Sequence, residues 1–246
     1  MRLPRYSRRS TSIPIHTFLG IVPSELFLQL KHSSAIAEHG SPDPEQNVKI
    51  NVPSGPGNLT LDGTIWPLLQ FHFHEESEHT VNGSPYDMEF HMVHQLLSGE
   101  YLVVGRFLET GSFNPLIDSI FSNLPTTTGS TFDLASFDLT ELLPSDLSSY
   151  RYTGSLTTPP FTGGVAWVVL AEPLQLSAAQ IDQFRSLFPG GNFREIQDLN
   201  GRVITTDVVG FSTVPEPASS AITAAGLLLF VIGPAIRRSI ISSRQP

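Results

Sequence analysis

Five of the eight histidines in this 246-residue chain fall between residues 72 and 94. They stand in Gln70-Phe71-His72-Phe73-His74, then Glu75-Glu76-Ser77-Glu78-His79-Thr80, then Glu89-Phe90-His91-Met92-Val93-His94. Side chains alternate along a strand, so Gln70, His72 and His74 share one face, while Phe71 and Phe73 point to the other. On a second strand Glu89, His91 and Val93 share a face and His94 lies opposite. If the two strands pair antiparallel across the 75–87 loop, His72, His74 and His91 converge. Three neutral imidazoles on two rigid strands make a divalent-metal site. In a chain without cysteine, zinc (Zn2+) is the usual choice for such a set, with a fourth position left for water. Gln70 and Glu89 lie two residues from ligand histidines on the same face, where they can hold the second ring nitrogen and fix the tautomer. A lone His-x-His says little; the third histidine on a neighbouring strand carries the metal reading. His79 and His94 read as structural hydrogen-bonding residues, and Glu75 and Glu76 as solvated loop charges.

The elements that must position these residues are short strands. Val48-Lys49-Ile50-Asn51-Val52 alternates as a half-buried strand should. Pro53 to Asn58 is a turn cluster. Leu59-Thr60-Leu61, Asp62-Gly63 and Thr64-Ile65-Trp66 predict a hairpin. Further strands are expected over 68–74, 88–95, 101–108 and 165–170. Ser177 can cap a helix whose Ile181, Phe184 and Phe188 share a face, and Pro189-Gly190-Gly191 ends it. A second helix is expected over 115–123. There is no internal repeat.

Composition narrows the class. Apolar residues make up 40% and charged residues 15%, which excludes a charge-rich disordered chain. The absence of cysteine excludes a disulfide scaffold, a thiolate nucleophile and any Cys-ligated metal cluster. The formal charge is −9, from 14 Lys+Arg and 23 Asp+Glu. Four Arg lie in the first ten residues and three in the last ten, leaving 7 cations against 23 anions between them, or −16. So acidic a body argues against a nucleic-acid partner, which needs clustered positive charge.

The two ends read differently from the body. Residues 218–236 are uncharged, 19 in a row, and Arg237 and Arg238 follow. At 1.5 Å per residue such a helix just crosses a bilayer core, and the basic flank fits a cytoplasmic C-terminus. Val214-Pro215-Glu216-Pro217 stands immediately before it. Motif, apolar span and Arg-rich tail together resemble the bacterial PEP-CTERM sorting signal. That resemblance implies a membrane anchor, a sorting transpeptidase as partner, and a body outside the cytoplasmic membrane, in the periplasm or at the cell surface. Residues 1–46 read as a leader or disordered segment, with a small-x-small site at Ala35-Ile36-Ala37. The expected organisation is 1–46, a domain over 47–212, and an anchor segment over 213–246.

The central motifs resemble the α-class carbonic anhydrases. QFHFH, SEHT and E-x-H-x-V-H are joined by Tyr152-Thr153-Gly154-Ser155-Leu156-Thr157-Thr158-Pro159-Pro160 and by Val165-Ala166-Trp167. Phe193 to Ile204, with Leu199-Asn200-Gly201-Arg202, looks like the family's closing strand. The resemblance implies a mainly β (α+β) fold, a central, mostly antiparallel twisted sheet with short peripheral helices, shortened at its N-terminal side. It implies reversible hydration of CO2 to bicarbonate. His72, His74 and His91 match the zinc ligands, and Gln70 and Glu89 match the residues that hold them. Thr157 matches a gating hydroxyl that donates to the acid matched by Glu78. Val93, Val103, Leu156 and Trp167 match the apolar wall for CO2, and Thr158 the pocket mouth. The family's upstream strands have no match in 1–46. Its proton-shuttle histidine falls at Gln46, the nearest histidine being His39. The alternative expectation is therefore a weak or inactive carbonic anhydrase-like binding module. A third is a structural zinc domain with a side activity on esters.

Overall fold

The computed structural model describes residues 47–52, 57–134 and 137–209, and the backbone of short strands at 2–3, 27–29, 31–32 and 35–39. The chain divides into two compact units, Met1–Phe211 and Ser212–Pro246. The second unit, with the expected span at 218–236 and Pro215-Glu216-Pro217, lies outside the described residues, as does most of the expected leader. Among the described residues no helix is long and apolar enough to cross a membrane.

The strands that matter here are β1 (Ala35–His39), β2 (Val48–Asn51), β3 (Asn58–Leu61), β4 (Thr64–His74), β5 (Met88–Gln95), β6 (Tyr101–Thr110), β7 (Thr131–Leu134), β8 (Ser149–Ser155), β9 (Gly163–Leu176) and β10 (Thr205–Thr206). They run side by side in the order β7-β1-β2-β4-β5-β6-β9-β8-β10. Every pair along this path is antiparallel except β6–β9, which is parallel. The hairpin β3–β4 forms where Asp62-Gly63 predicts it. Both residues take positive φ, 50° and 76°, as the tight two-residue turn requires.

The sheet has two unlike faces. One carries Ile50, Phe71, Phe73, Phe90, Met92, Leu102, Val104, Val168 and Leu170 into the main core. The helices α1 (Pro115–Phe121) and α2 (Ala178–Arg185) cover it with Ile117, Ile120, Phe121, Ile181 and Phe184. Phe73 stacks on Phe90 at 4.9 Å and meets Phe121 edge-on at 5.0 Å. Each such ring, fully buried, contributes about 1.5–3 kcal/mol. The helices start where the sequence marks them. Asn114 caps α1 ahead of Pro115, and Ser177 forms a reciprocal capping box with Gln180 on α2. The other face carries a smaller cluster that includes Val93, Val103, Val165 and Trp167.

One expectation is corrected. Phe193 to Ile204 holds no regular strand; the closing strand is only Thr205–Thr206, paired with Tyr150 and Arg151. The reason is turn chemistry. Asn200 and Gly201 take positive φ of 50° and 74°, and Arg202 folds back to donate its N–H to the Leu199 carbonyl at 2.9 Å.

Candidate metal centre

β4 and β5 pair antiparallel, with His91 opposite His72 and Glu89 opposite His74. The three ligand-candidate rings therefore gather on the face away from the main core. Their centroids lie 4.8, 5.2 and 4.7 Å apart. One nitrogen from each lies within 4.8 Å of the other two, and all three residues are buried. Each ring spends its other nitrogen on a fixed acceptor. His72 Nδ1–H donates to Gln70 Oε1 at 2.7 Å. His74 Nδ1–H donates to the Asn192 carbonyl at 2.7 Å. His91 Nε2–H donates to Glu89 Oε1 at 2.8 Å. These bonds set the tautomers, so Nε2 of His72, Nε2 of His74 and Nδ1 of His91 keep free lone pairs.

The donor set fits a zinc ion. His74 Nε2 is buried and has no hydrogen-bond partner, an acceptor left for a cation. Burial, reinforced by His91, lowers the His74 pKa against the opposing pull of Glu78. Burial, together with His74 and His91, holds the His72 pKa well below its ordinary value. Both rings are neutral at neutral pH, the form that ligates metal. His79, Glu89 and His91 form a second close cluster, but their atoms are already bonded to one another. Glu89 Oε1 accepts from His79 Nδ1–H at 2.6 Å, and Glu89 Oε2 accepts the His79 N–H at 2.9 Å. His79 Nε2 accepts from the Tyr152 hydroxyl at 2.7 Å. Burial alone would raise the Glu89 carboxyl, yet His79 and His91 hold it well below the usual carboxylate range. Burial, helped by Glu89, raises the Tyr152 hydroxyl well above its ordinary value, so it stays a donor. Gly105 stands opposite His91 on β6. A Cβ there would sit 3.0 Å from Glu89 Oε1, so only glycine leaves the carboxylate its place without a shift.

Two loops complete the floor. Asn192 clamps the end of β4: its Nδ2 donates to the Phe73 carbonyl and its Oδ1 accepts the Glu75 N–H, both at 2.8 Å. Sequence reasoning did not single out Asn192, and no local signal marks it. Glu75, expected as a solvated charge, is buried instead. Its Oε1 accepts from Arg185 Nε at 2.7 Å, because the loop after β4 packs under the end of α2. Glu76 is exposed. Glu78 is buried beside the triad, 3.5 Å from His74 Nδ1 and 3.9 Å from His91 Nδ1. Its Oε1 accepts the Arg194 N–H at 2.7 Å.

A cavity of about 270 Å³ opens over His72 and His91. Val93, Val103, Leu156 and Trp167 form an apolar wall. Trp167 meets His91 edge-on at 4.9 Å and donates its Nε1–H to the Ser155 carbonyl. Gln70, Thr157 and Thr158 face the same space, as do Lys49, Asn51, Leu69 and Tyr101, which sequence reasoning did not place there. The alternation of 48–52 would have revealed Lys49 and Asn51 had the partner strand been known.

A twisted, mostly antiparallel sheet with three imidazoles under a half-apolar cavity defines a mononuclear metal protein open to small ligands. The family model for eukaryotic-type carbonic anhydrase matches residues 43–208, and the chain belongs to that family. The chain is 44% identical over 161 residues to a carbonic anhydrase of Nostoc sp., covering 65% of this chain and 60% of that one. It is 42% identical over 147 residues to a carbonic anhydrase of Klebsiella pneumoniae, covering 59% and 60%. It thus spans about 60% of the length of these curated relatives. The α-carbonic anhydrase of Thermovibrio ammonificans, solved with the inhibitor sulfanilamide, matches with a TM-score of 0.66 and 36% identity. That match covers 72% of this chain and 77% of that one. The fold class expected from sequence is borne out by this likeness.

Proposed function

We propose that this protein is a zinc carbonic anhydrase that interconverts CO2 and bicarbonate, its chemistry carried by residues 47–212. The observation that carries the reading is the buried triad, each ring held by a separate acceptor and His74 Nε2 left without a partner. A zinc ion held by His72, His74 and His91 would supply what it is known to supply in carbonic anhydrases, Lewis acidity that brings the pKa of a water to about 7. The chain's own residues do the rest. Gln70, Glu89 and the Asn192 carbonyl keep the rings aimed. Val93, Val103, Leu156 and Trp167 offer uncharged CO2 a site from which water is excluded. The resemblance gives Thr157 a hydroxyl that donates to the Glu78 carboxylate and so can only accept from a ligand in the cavity. It therefore orients a ligand that carries a proton there and rejects one that does not. Thr158 stands at the mouth. Gln46 occupies the shuttle position implied by the resemblance, so the product proton leaves through external buffer. An open cavity with an apolar wall favours this reading over a closed structural zinc site or an inactive binding module.

Thr157→Ala tests the reading. It should keep one zinc per chain by atomic absorption and lose CO2 hydration roughly a hundredfold in stopped-flow assays. An unaltered rate removes the gate, and a wild-type protein without zinc or hydration overturns the enzyme.

On the same proposal, residues 213–246 anchor the domain on the outer side of the cytoplasmic membrane, and a sorting transpeptidase recognises Pro215-Glu216-Pro217. The support is the order of motif, uncharged span and Arg237-Arg238. Deleting 213–246 should move the protein from the membrane fraction to the soluble one; unchanged fractionation would sink the anchor.

A further inference from the structure

The cavity carries one charge that the mechanism leaves unused. On β2, Ile50 pairs with Phe71 and Asn51 with Gln70. Continuing that register sets Lys49 opposite His72, and alternation turns Lys49 and Asn51 toward the face of Gln70 and His72. Lys49 is exposed and lines the cavity. No carboxylate lines the cavity among the described residues, although the chain carries 23 Asp+Glu.

The other described cations are all engaged. Arg106 donates to the main-chain carbonyls of Leu142, Glu172 and Pro173. Arg151 pairs with Asp207, and Arg185 with Glu75 and Asp182. Arg194 lies over the Phe161 ring, and Arg202 donates to the Leu199 and Asp198 carbonyls. Lys49 makes no ion pair among the described residues. An ammonium with no ion pair among the described residues, in a cavity whose described lining carries no carboxylate, is complementary to a small anion.

We propose that Lys49 is a specificity-determining residue of this pocket, a fixed cation that draws small oxyanions in and holds bicarbonate more tightly than a neutral wall would. The proposal rests on the carbonic anhydrase reading for the identity of the anion. CO2 has no charge and is indifferent to Lys49; bicarbonate is not. Because Lys49 is exposed, the attraction is screened by salt.

The test uses the zinc-loaded full chain with bicarbonate as the probe, read by titration calorimetry at low ionic strength. Lys49→Gln should raise the bicarbonate Kd roughly three- to tenfold, and Lys49→Arg should stay within about twofold of wild type. In about 1 M salt the difference between wild type and Lys49→Gln should close. The kcat/KM for CO2 hydration, taken at its high-pH plateau, should stay within about twofold in every variant, since the uncharged substrate feels no such field. Equal bicarbonate affinity in wild type and Lys49→Gln overturns the proposal. A parallel loss of CO2 hydration in Lys49→Gln and Lys49→Arg also overturns it and assigns a structural role. A wild type that does not hydrate CO2 defeats the enzyme reading alone, because the binding series still reports on Lys49.

Discussion

His91 and His94 sit three residues apart on β5 and lead opposite lives. His91 faces the cavity, donates to Glu89 and keeps Nδ1 free beside two other imidazoles. His94 faces the core side. Its Nδ1–H donates to the Trp66 carbonyl at 3.0 Å, and its Nε2 is buried with no partner. Burial pushes the His94 pKa down from 6.5 to about 4. Residue type is thus no guide to role within one strand. The face decides whether an unbonded imidazole nitrogen is a ligand in waiting or a cost of about 1–3 kcal/mol.

The contrast can be broken most severely at His91. His91→Ala should lower zinc content from one per chain to none and abolish CO2 hydration; retained stoichiometric zinc would remove His91 from the ligand set. The core-side histidine predicts a smaller, pH-dependent effect. Its folded-state pKa lies below its unfolded value, so its contribution is intact above pH 6.5 and is lost as the pH falls from 6.5 toward 4. That loss amounts to about 3 kcal/mol over the window. Urea denaturation of His94→Gln across the same range should show a correspondingly flatter pH dependence, and identical slopes would mean that His94 does not titrate this way. The smallest effect belongs to the props. Gln70→Leu deletes the acceptor of His72 Nδ1–H and should weaken zinc about ten- to hundredfold against a competing chelator. Unchanged affinity would show that the ring needs no such bond.

The cavity side was legible in the sequence to the extent that it was local. His72, His74, His91, Gln70 and Glu89 all lie between residues 70 and 91, and strand alternation alone sorts their faces. α2 was legible because Ser177 can cap it, Ile181, Phe184 and Phe188 share a face, and Pro189-Gly190-Gly191 ends the run; the structure adds Gln180 to the cap. Contributions that depend on which strands become neighbours were not. The strand 48–52 could be read, but not that β2 lies beside β4, so Lys49 and Asn51 were missed as cavity residues. Glu75 looked like any loop carboxylate because Arg185, its partner, is 110 residues away. The segment 193–204 was read as a strand on its resemblance to the family's closing strand, whereas the Asn200-Gly201 turn decides the matter.

The Asn192 clamp has a consequence for how this site can drift under mutation. Two of the three ligand rings lean on side chains, Gln70 and Glu89, and a single codon change can delete either bond. His74 leans on a main-chain carbonyl, which every residue type supplies. No substitution at 192 removes that acceptor; it can only let it move. The Asn192 side chain resists the movement by gripping the backbone on both sides of His74, at Phe73 and Glu75. The prop is therefore chemically indestructible and positionally fragile, so variation at 192 is filtered by side-chain geometry although the bond it protects is generic.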